Sequence, residues 1–231
     1  VFASIIYLNG RLILAAKLCG VNVIVRNNIG ISRYMDSVSL FFLRHVYKFA
    51  DTVVAQQEEM REELMSFGHI PQDRVITMHN PLDIETITAK ASAASPYSVS
   101  ETGIKYVQVA RFSEEKGQDL AVRAIKRLVD DGEDVHLHLI GRYDWSQEYD
   151  RSIKDYVEVN GLEGRIHFEG EDNNPYRWMK HSDCYLMTSR REGLPNALVE
   201  AMYLGTPVVA TKCIPVVERI VNDGNNGYLV A

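Results

Sequence analysis

The chain has 231 residues, enough for one large domain or two small ones. Its 25 basic and 31 acidic residues leave a net charge of −6, which argues against nucleic acid as the main partner. No run of about eighteen apolar residues occurs: Asn9, Arg11 and Lys17 interrupt the nearest stretch, 1–21, so no membrane span is expected. Three cysteines, Cys19, Cys184 and Cys213, are an odd number in apolar surroundings and indicate no disulfide framework. With no secretory signal, they point to a reducing cytoplasm. The chain starts at Val1 and stops just after an apolar run at 227–231, so it is expected to be a fragment cut at both ends.

Residues 1–83 form the later part of a first α/β domain. A helix is expected over 12–18 and a buried β-branched strand over 21–25. Residues 38–49 form a strongly apolar helix carrying Arg44, His45 and Lys48. Basic residues among large apolar ones suit a membrane-surface helix. More often such a pattern marks a core helix whose charges reach outward. A strand at 52–55, a polar helix at 57–67 ended by Gly68, and a strand at 74–78 complete the segment. This β-α-β-α-β spacing implies parallel strands. Arg26, Asn27 and Asn28 leave a strand end and either face a cleft or cap the strand. Residues 84–103 are small and polar, so a short helix followed by a loose linker is expected.

The second domain opens at Ile104 and runs over 104–231. A strand at 106–110 leads through the loop Arg111 to Gly117 into a helix at 118–129, with Leu120, Ala124, Ile125 and Leu128 on its buried side. Arg111 and Lys116 are cations at a strand end and a helix start, where the helix dipole disfavours positive charge. A diphosphate would remove that conflict, and so would surface pairing with Glu114 and Glu115. Further strands are expected at 135–140, 165–168, 184–187, 208–210 and 228–230, with helices at 146–159 and 174–181. About six strands with right-handed crossovers give a doubly wound sheet. His136 and His138 share one face of a predicted strand, but no cysteine or carboxylate cluster accompanies them in the sequence, so no metal site is expected. No Asp-x-Asp pair, Gly-x-Ser-x-Gly motif or Walker loop is present.

The stretch SRREGLPNALVEAMYLGTPVVAT, residues 189–211, organises this half. Gly193 and Pro195 break the preceding strand. A helix runs over 196–204, and Gly205 stops it. Ligands of open α/β sheets bind beyond the carboxyl ends of the strands. A helix starting there turns unpaired N–H groups and a positive dipole end toward the ligand, which suits phosphate. Glu192 lies at the strand end and Glu200 inside the helix, with seven residues between them. The pair suits two sets of hydroxyls flanking a phosphate, as in a nucleotide sugar. It also suits two solvated helix-entry charges, and spacing alone leaves both readings open.

Glu192-Gly193-Leu194-Pro195-Asn196-Ala197-Leu198-Val199-Glu200-Ala201-Met202, followed by Gly205-Thr206-Pro207-Val208-Val209-Ala210, resembles the signature of the family-4 retaining glycosyltransferases. The resemblance covers roughly the last 150 residues, and more weakly the first 80. It implies an α/β fold of the GT-B type, two Rossmann-like domains with parallel sheets, here with an incomplete first domain (1–83) and a second lacking its final segment. It implies that Glu192 contacts the transferred sugar, Glu200 the ribose, and Arg111 and Lys116 the donor diphosphate. Gly193, Leu194, Pro195 and Asn196 belong to the same donor motif. The loops after the second and third strands imply Gly141, Arg142, Gly170 and Glu171 at the base pocket. Many members carry a donor-contacting histidine near position 26. This chain resembles instead a subgroup, common among bacterial surface-polysaccharide enzymes, with an Arg-Asn pair there, so Arg26 or Asn27 takes that place.

The expected activity is metal-independent, retaining transfer of a hexosyl or N-acetylhexosaminyl group from a nucleoside diphosphate sugar, UDP by family habit, to a glycan or lipid-linked hydroxyl. No cofactor and no resident metal are expected. Peripheral contact with the inner face of the cell membrane would fit a lipid-linked acceptor. Two other readings stay open: a nucleotide-sugar epimerase on the same fold, and a non-catalytic nucleotide-sugar binding module.

Overall fold

Alternating apolar runs and amphipathic stretches build two separate parallel sheets in the computed structural model, which describes residues 1–28, 36–143 and 148–231. The chain divides into two units, Val1–Pro81 and Leu82–Ala231.

The first unit contains β1 (Phe2–Ala3), α1 (Ile6–Leu18), β2 (Ile24–Asn27), α2 (Ser37–His45), β3 (Thr52–Ala55), α3 (Glu58–Gly68) and β4 (Val75–Thr77). Its sheet order is β1-β2-β3-β4, parallel throughout. Val23, Val25, Val53 and Ala55 are fully buried against Ile13, Leu43 and Leu64 from the helices. The second strand starts later than its β-branched run suggests. The Val21 and Gly20 amides bond to Ala16 O at 2.9 Å and Lys17 O at 3.2 Å, closing the end of α1, so Val21 belongs to a helix terminus. The expected helix over 38–49 ends at His45, and a short 3₁₀ turn at Tyr47–Phe49 follows. Asp36 caps α2 through the Val38 and Ser39 amides, both at 2.9 Å.

The second unit contains α4 (Ile84–Ala91), β5 (Ile104–Val109), α5 (Gln118–Asp130), β6 (Val135–Ile140), α6 (Glu148–Val159), β7 (Ile166–Gly170), α7 (Pro175–His181), β8 (Cys184–Met187), α8 (Asn196–Tyr203), β9 (Val208–Thr211), α9 (Pro215–Ile220) and β10 (Tyr228–Val230). Its six parallel strands run in the order β10-β9-β8-β5-β6-β7. The chain builds outward from β5 to β7, then returns to the other side of β5. The sheet therefore has a reversal point between β5 and β8, paired through Tyr106 with Cys184 and Val107 with Tyr185.

Both sheet faces are covered, as a parallel sheet requires. On β6, Val135, Leu137 and Leu139 face a cluster built with Ile125, Ile153 and Val157. Fully burying each of these leucines contributes about 1.5–3 kcal/mol. Val107, Ile140, Trp178 and Met179 lie in the other cluster with Ile87 and Ala91. The buried side of α5 is Gln118, Ala121, Val122 and Ile125; Ala124, expected inside, is exposed. The start of the helix expected from Ser146 lies outside the described residues.

The segment expected as a linker at 84–103 belongs to this second unit. Ile87 and Ala91 are buried in its core, and the Tyr97 hydroxyl donates to Trp178 O at 2.8 Å. A few spaced apolar side chains suffice to anchor a stretch whose average composition is small and polar.

Candidate functional site

The loops leaving β5 and β8 meet at the reversal point. Between them lies a cavity of about 240 Å³, lined by Gln108, Arg111, Lys116, Ser189 and Glu192 among others. Leu194, Pro195 and Asn196 complete its far wall. Its volume falls below the roughly 300–1,000 Å³ of a whole small-molecule pocket, so it has room for part of a larger ligand.

Two glycines allow close approaches here, Gly117 between the loops after β5 and β8 and Gly141 between those after β6 and β5. Gly117 adopts φ 64°, and a Cβ there would lie 2.1 Å from Thr188 O. Only glycine accepts both the left-handed backbone and that approach. Gly141 sits at φ 153°, where a Cβ would lie 1.9 Å from Ala110 O. Hydrogen bonds tie the loops further: Thr188 Oγ1 donates to Gly117 O at 2.7 Å, and the Arg190 amide to Glu115 O at 2.7 Å. The Arg190 guanidinium grips Asp119 through two bonds of 2.7 and 2.8 Å. Burial raises the Asp119 carboxyl, but bonds from Arg190 and Tyr149 outweigh it and hold the group below its ordinary range.

Lys116 Nζ contacts Glu192 Oε1 at 2.7 Å, and Ser189 Oγ donates to the same oxygen at 2.8 Å. The Glu192 side chain is 9% exposed and that of Lys116 25%. Lys116 thus pairs across the cavity, not with Glu114 or Glu115. Arg111 stays half-exposed, with Glu115 at 3.9 Å. Pro195 offers no side-chain cap to α8 and no acidic residue stands in the first turn of that helix, so the positive end of its dipole faces this loop.

Glu200 is partly buried on α8 and does not line this cavity. Burial pushes its carboxyl above the usual range, partly offset by a hydrogen bond from Tyr176. Gly193 lies between lining residues without itself lining the cavity. Gly141 and Gly170 come together at the same sheet edge, the Gly141 amide bonding Gly170 O at 2.7 Å. The Phe112 amide bonds Arg142 O at 2.9 Å, which fastens that edge to the β5 loop. Glu171 is exposed beside Gly170.

Asn27 is different. Its side chain is fully buried in the first unit, where its Oδ1 accepts from the Tyr47 hydroxyl at 3.2 Å. The Asn9 amide lies 3.5 Å from the same oxygen and donates to Arg26 O at 3.0 Å. Arg26 donates to Asn80 Oδ1. Of the two readings of Asn27, these contacts fit the strand-end cap and not a side chain facing a cleft.

Two features escaped the sequence. Gln108, 2% exposed, stands inside the apolar β5 run, donates to Lys116 O at 2.8 Å and fixes the loop from below. Its polarity within that run was the available signal. The second is a cluster about His138. Glu101 Oε1 lies 2.9 Å from His138 Nε2, and Glu169 Oε1 lies 2.8 Å from Nδ1. Glu101, His138 and His167 each offer a ligand atom, all within 4.8 Å of one another. The expectation that no carboxylate accompanies these histidines is corrected: the carboxylates arrive from β7 and from the loop before β5, more than thirty positions from His138 in sequence.

A family model described as glycosyl transferases group 1 matches residues 90–231. An uncharacterised glycosyltransferase of Methanocaldococcus jannaschii is 24% identical over 82% of this chain and 47% of its own length. The N-acetylgalactosamine-N,N'-diacetylbacillosaminyl-diphospho-undecaprenol 4-alpha-N-acetylgalactosaminyltransferase of Campylobacter jejuni is 27% identical over 86% of this chain and 52% of its own. The crystal structure of Anabaena HepE in complex with UDP superposes with a TM-score of 0.83 at 20% identity, covering 99% of this chain and 64% of that one. That likeness shows a shared fold, the GT-B class with two Rossmann-like sheets. The chain spans about half the length of these two sequence relatives.

Proposed function

The chain belongs to the group 1 glycosyltransferases, and we propose that it carries the donor site of an enzyme moving a sugar from a UDP-sugar to a glycan or lipid-linked hydroxyl, with retention of the α configuration. One observation carries this reading: Lys116, Glu192 and the uncapped start of α8 converge on a cavity at the sheet's reversal point. UDP as the nucleotide rests on the ligand of Anabaena HepE, and the lipid-linked acceptor on the name of the Campylobacter relative.

The donor diphosphate lies at the α8 N-terminus. Lys116 and Arg111 neutralise the charge that grows on it as the anomeric C–O bond breaks. The acceptor oxygen bonds to the anomeric carbon, and its proton passes to the departing phosphate oxygen. Glu192, steadied by Ser189, positions the sugar; when donor arrives, Lys116 shares its charge between this carboxylate and phosphate. Glu200 accepts from the ribose hydroxyls while Tyr176 supports its outer side. These groups supply the leaving-group stabilisation without a divalent ion on the diphosphate. A lipid-linked acceptor would bring the protein to the inner membrane face; no helix among the described residues is long and apolar enough to cross a membrane.

The test uses the full-length protein with UDP-sugars and acceptor glycans, the product anomer being read by proton NMR. An α-linked product, with kcat lower by about a hundredfold in Glu192→Gln, is the expected result. A β-linked product, or unchanged kcat in the variant, overturns the assignment.

A further inference from the structure

We propose that Glu101, His138 and His167 form a binding site for one divalent transition-metal ion of the zinc class, a structural site apart from the donor cavity. None of the three lines that cavity. They bring one carboxylate and two imidazoles to within 4.8 Å of one another, from the loop before β5 and from the paired positions His138 and His167 of β6 and β7. Two imidazoles and a carboxylate are a donor set that suits zinc and its neighbours.

The hydrogen-bond bookkeeping asks for a cation. Both ring nitrogens of His138 face carboxylate oxygens, Glu169 at 2.8 Å and Glu101 at 2.9 Å. A neutral imidazole has one N–H to give, so one nitrogen lone pair confronts an anion. A proton on Nδ1, donated to Glu169, leaves Nε2 aimed at Glu101. This is the carboxylate–histidine–metal arrangement, in which an outer carboxylate fixes the tautomer of the ligand.

His167 is set the same way. Arg165 lies 3.1 Å from His136 Nε2 and only donates, so His136 carries its proton on Nδ1. That proton points at His167 Nε2 across 3.1 Å, which keeps the His167 lone pair on Nε2. The same atom lies 3.9 Å from Glu101 Oε2. The His167 ring stacks on that of His138 with centroids 4.5 Å apart, so the three groups are neighbours, and His167 aims its lone pair at a shared ion by giving up the bond from His136.

The surroundings are dry on one side. His138 is 3% exposed, with the rings of Tyr97 and Trp178 centred 4.7 and 5.5 Å from its own. Two carboxylates beside neutral imidazoles in such a place need a compensating charge. Ligand atoms of a tetrahedral zinc site stand roughly 3.3 Å apart. His167, whose side chain is 29% exposed, reaches that spacing by turning from His136 toward the ion. Glu101 lies in the segment that composition marks as a loose linker, and the ion would pin that segment to the sheet.

The test is Co²⁺ and Zn²⁺ titration of the chelator-stripped chain, followed by visible absorption and thermal unfolding. One Co²⁺ per chain and a higher Tm with Zn²⁺ are expected. Glu169→Gln should weaken binding by about ten- to a hundredfold, and Glu101→Gln and His167→Gln by more. Zinc-edge X-ray absorption on the unmutated chain keeps the test independent of how the variants fold. Nitrogen and oxygen at about 2.0–2.2 Å with no sulfur is the expected shell, whereas sulfur at about 2.3 Å places the ion on a cysteine and overturns the site. So does the absence of any Co²⁺ spectrum and Tm shift, which would leave a second proton, not a metal, between His138 and Glu101. Equal affinity in folded Glu101→Gln and His167→Gln overturns it as well.

Discussion

The two units solve one architectural problem and treat their strand ends in opposite ways. In the first, the polar residues ending β2 are held by other elements of their own unit: Asn27 is buried beneath Tyr47, and Arg26 reaches Asn80. In the second, those at the ends of β5 and β8 turn into a cavity, where Lys116 and Glu192 pair across open space and Gln108 holds the loop from below. Topology accompanies the difference: among the described residues the first sheet runs in chain order, β1 to β4, whereas the second reverses between β5 and β8. At a reversal, the loops depart to opposite faces and leave a crevice between them.

The hardest blow to this contrast falls on the strap beneath the cavity. Gly117→Val would force a branched side chain into a left-handed backbone against Thr188 O. The conformation alone costs about 1–2 kcal/mol and the clash adds to it. Denaturant unfolding should register that loss, and UDP binding should disappear even at temperatures where the variant is folded.

Asn27→Ala makes the converse test. It removes the acceptor of the buried Tyr47 hydroxyl and leaves Asn9 beside it; burial raises the Tyr47 pKa to about 12, partly offset by its hydrogen bond with Asn9. A loss of about 1–3 kcal/mol in stability is expected, with UDP affinity changed by less than about twofold. A large affinity loss at retained stability would move Asn27 into the donor site.

Glu200→Gln sharpens the second unit alone. An acid whose folded pKa is raised favours folding below its unfolded value, and that contribution is lost as pH rises through the folded value. The variant should therefore be more stable than the parent at neutral pH, with the gain vanishing near pH 4, while its UDP affinity falls. Stability curves at both pH values together with nucleotide titration check the sign.

Much of this was legible in the chain. Strand runs and helix stops announced a doubly wound sheet, and the residues around Glu192 pointed to the loop that lines the cavity at its strand ends. What stayed hidden depends on distance in sequence. Glu101 and Glu169 meet His138 only once β6 and β7 are paired, and periodicity within one strand carries no trace of them. The anchoring of 84–103 rests on Ile87, Ala91 and Tyr97, too few to lift a small, polar average. Val21 looked like a strand because its side chain is β-branched, yet its amide was needed to close α1. Asn27 owes its place to Tyr47, twenty positions away in sequence. Local pattern specified the elements and the motif; long-range pairing decided which polar residues are caps and which are open.

The most direct test of the central claim is calorimetric titration of UDP, GDP and ADP into the chain and into Lys116→Ala. Placement of the donor site at the reversal point predicts that UDP binds, and that the substitution weakens it by about ten- to a hundredfold, the worth of one charge-assisted hydrogen bond. Equal UDP affinity in the two folded proteins would contradict that placement.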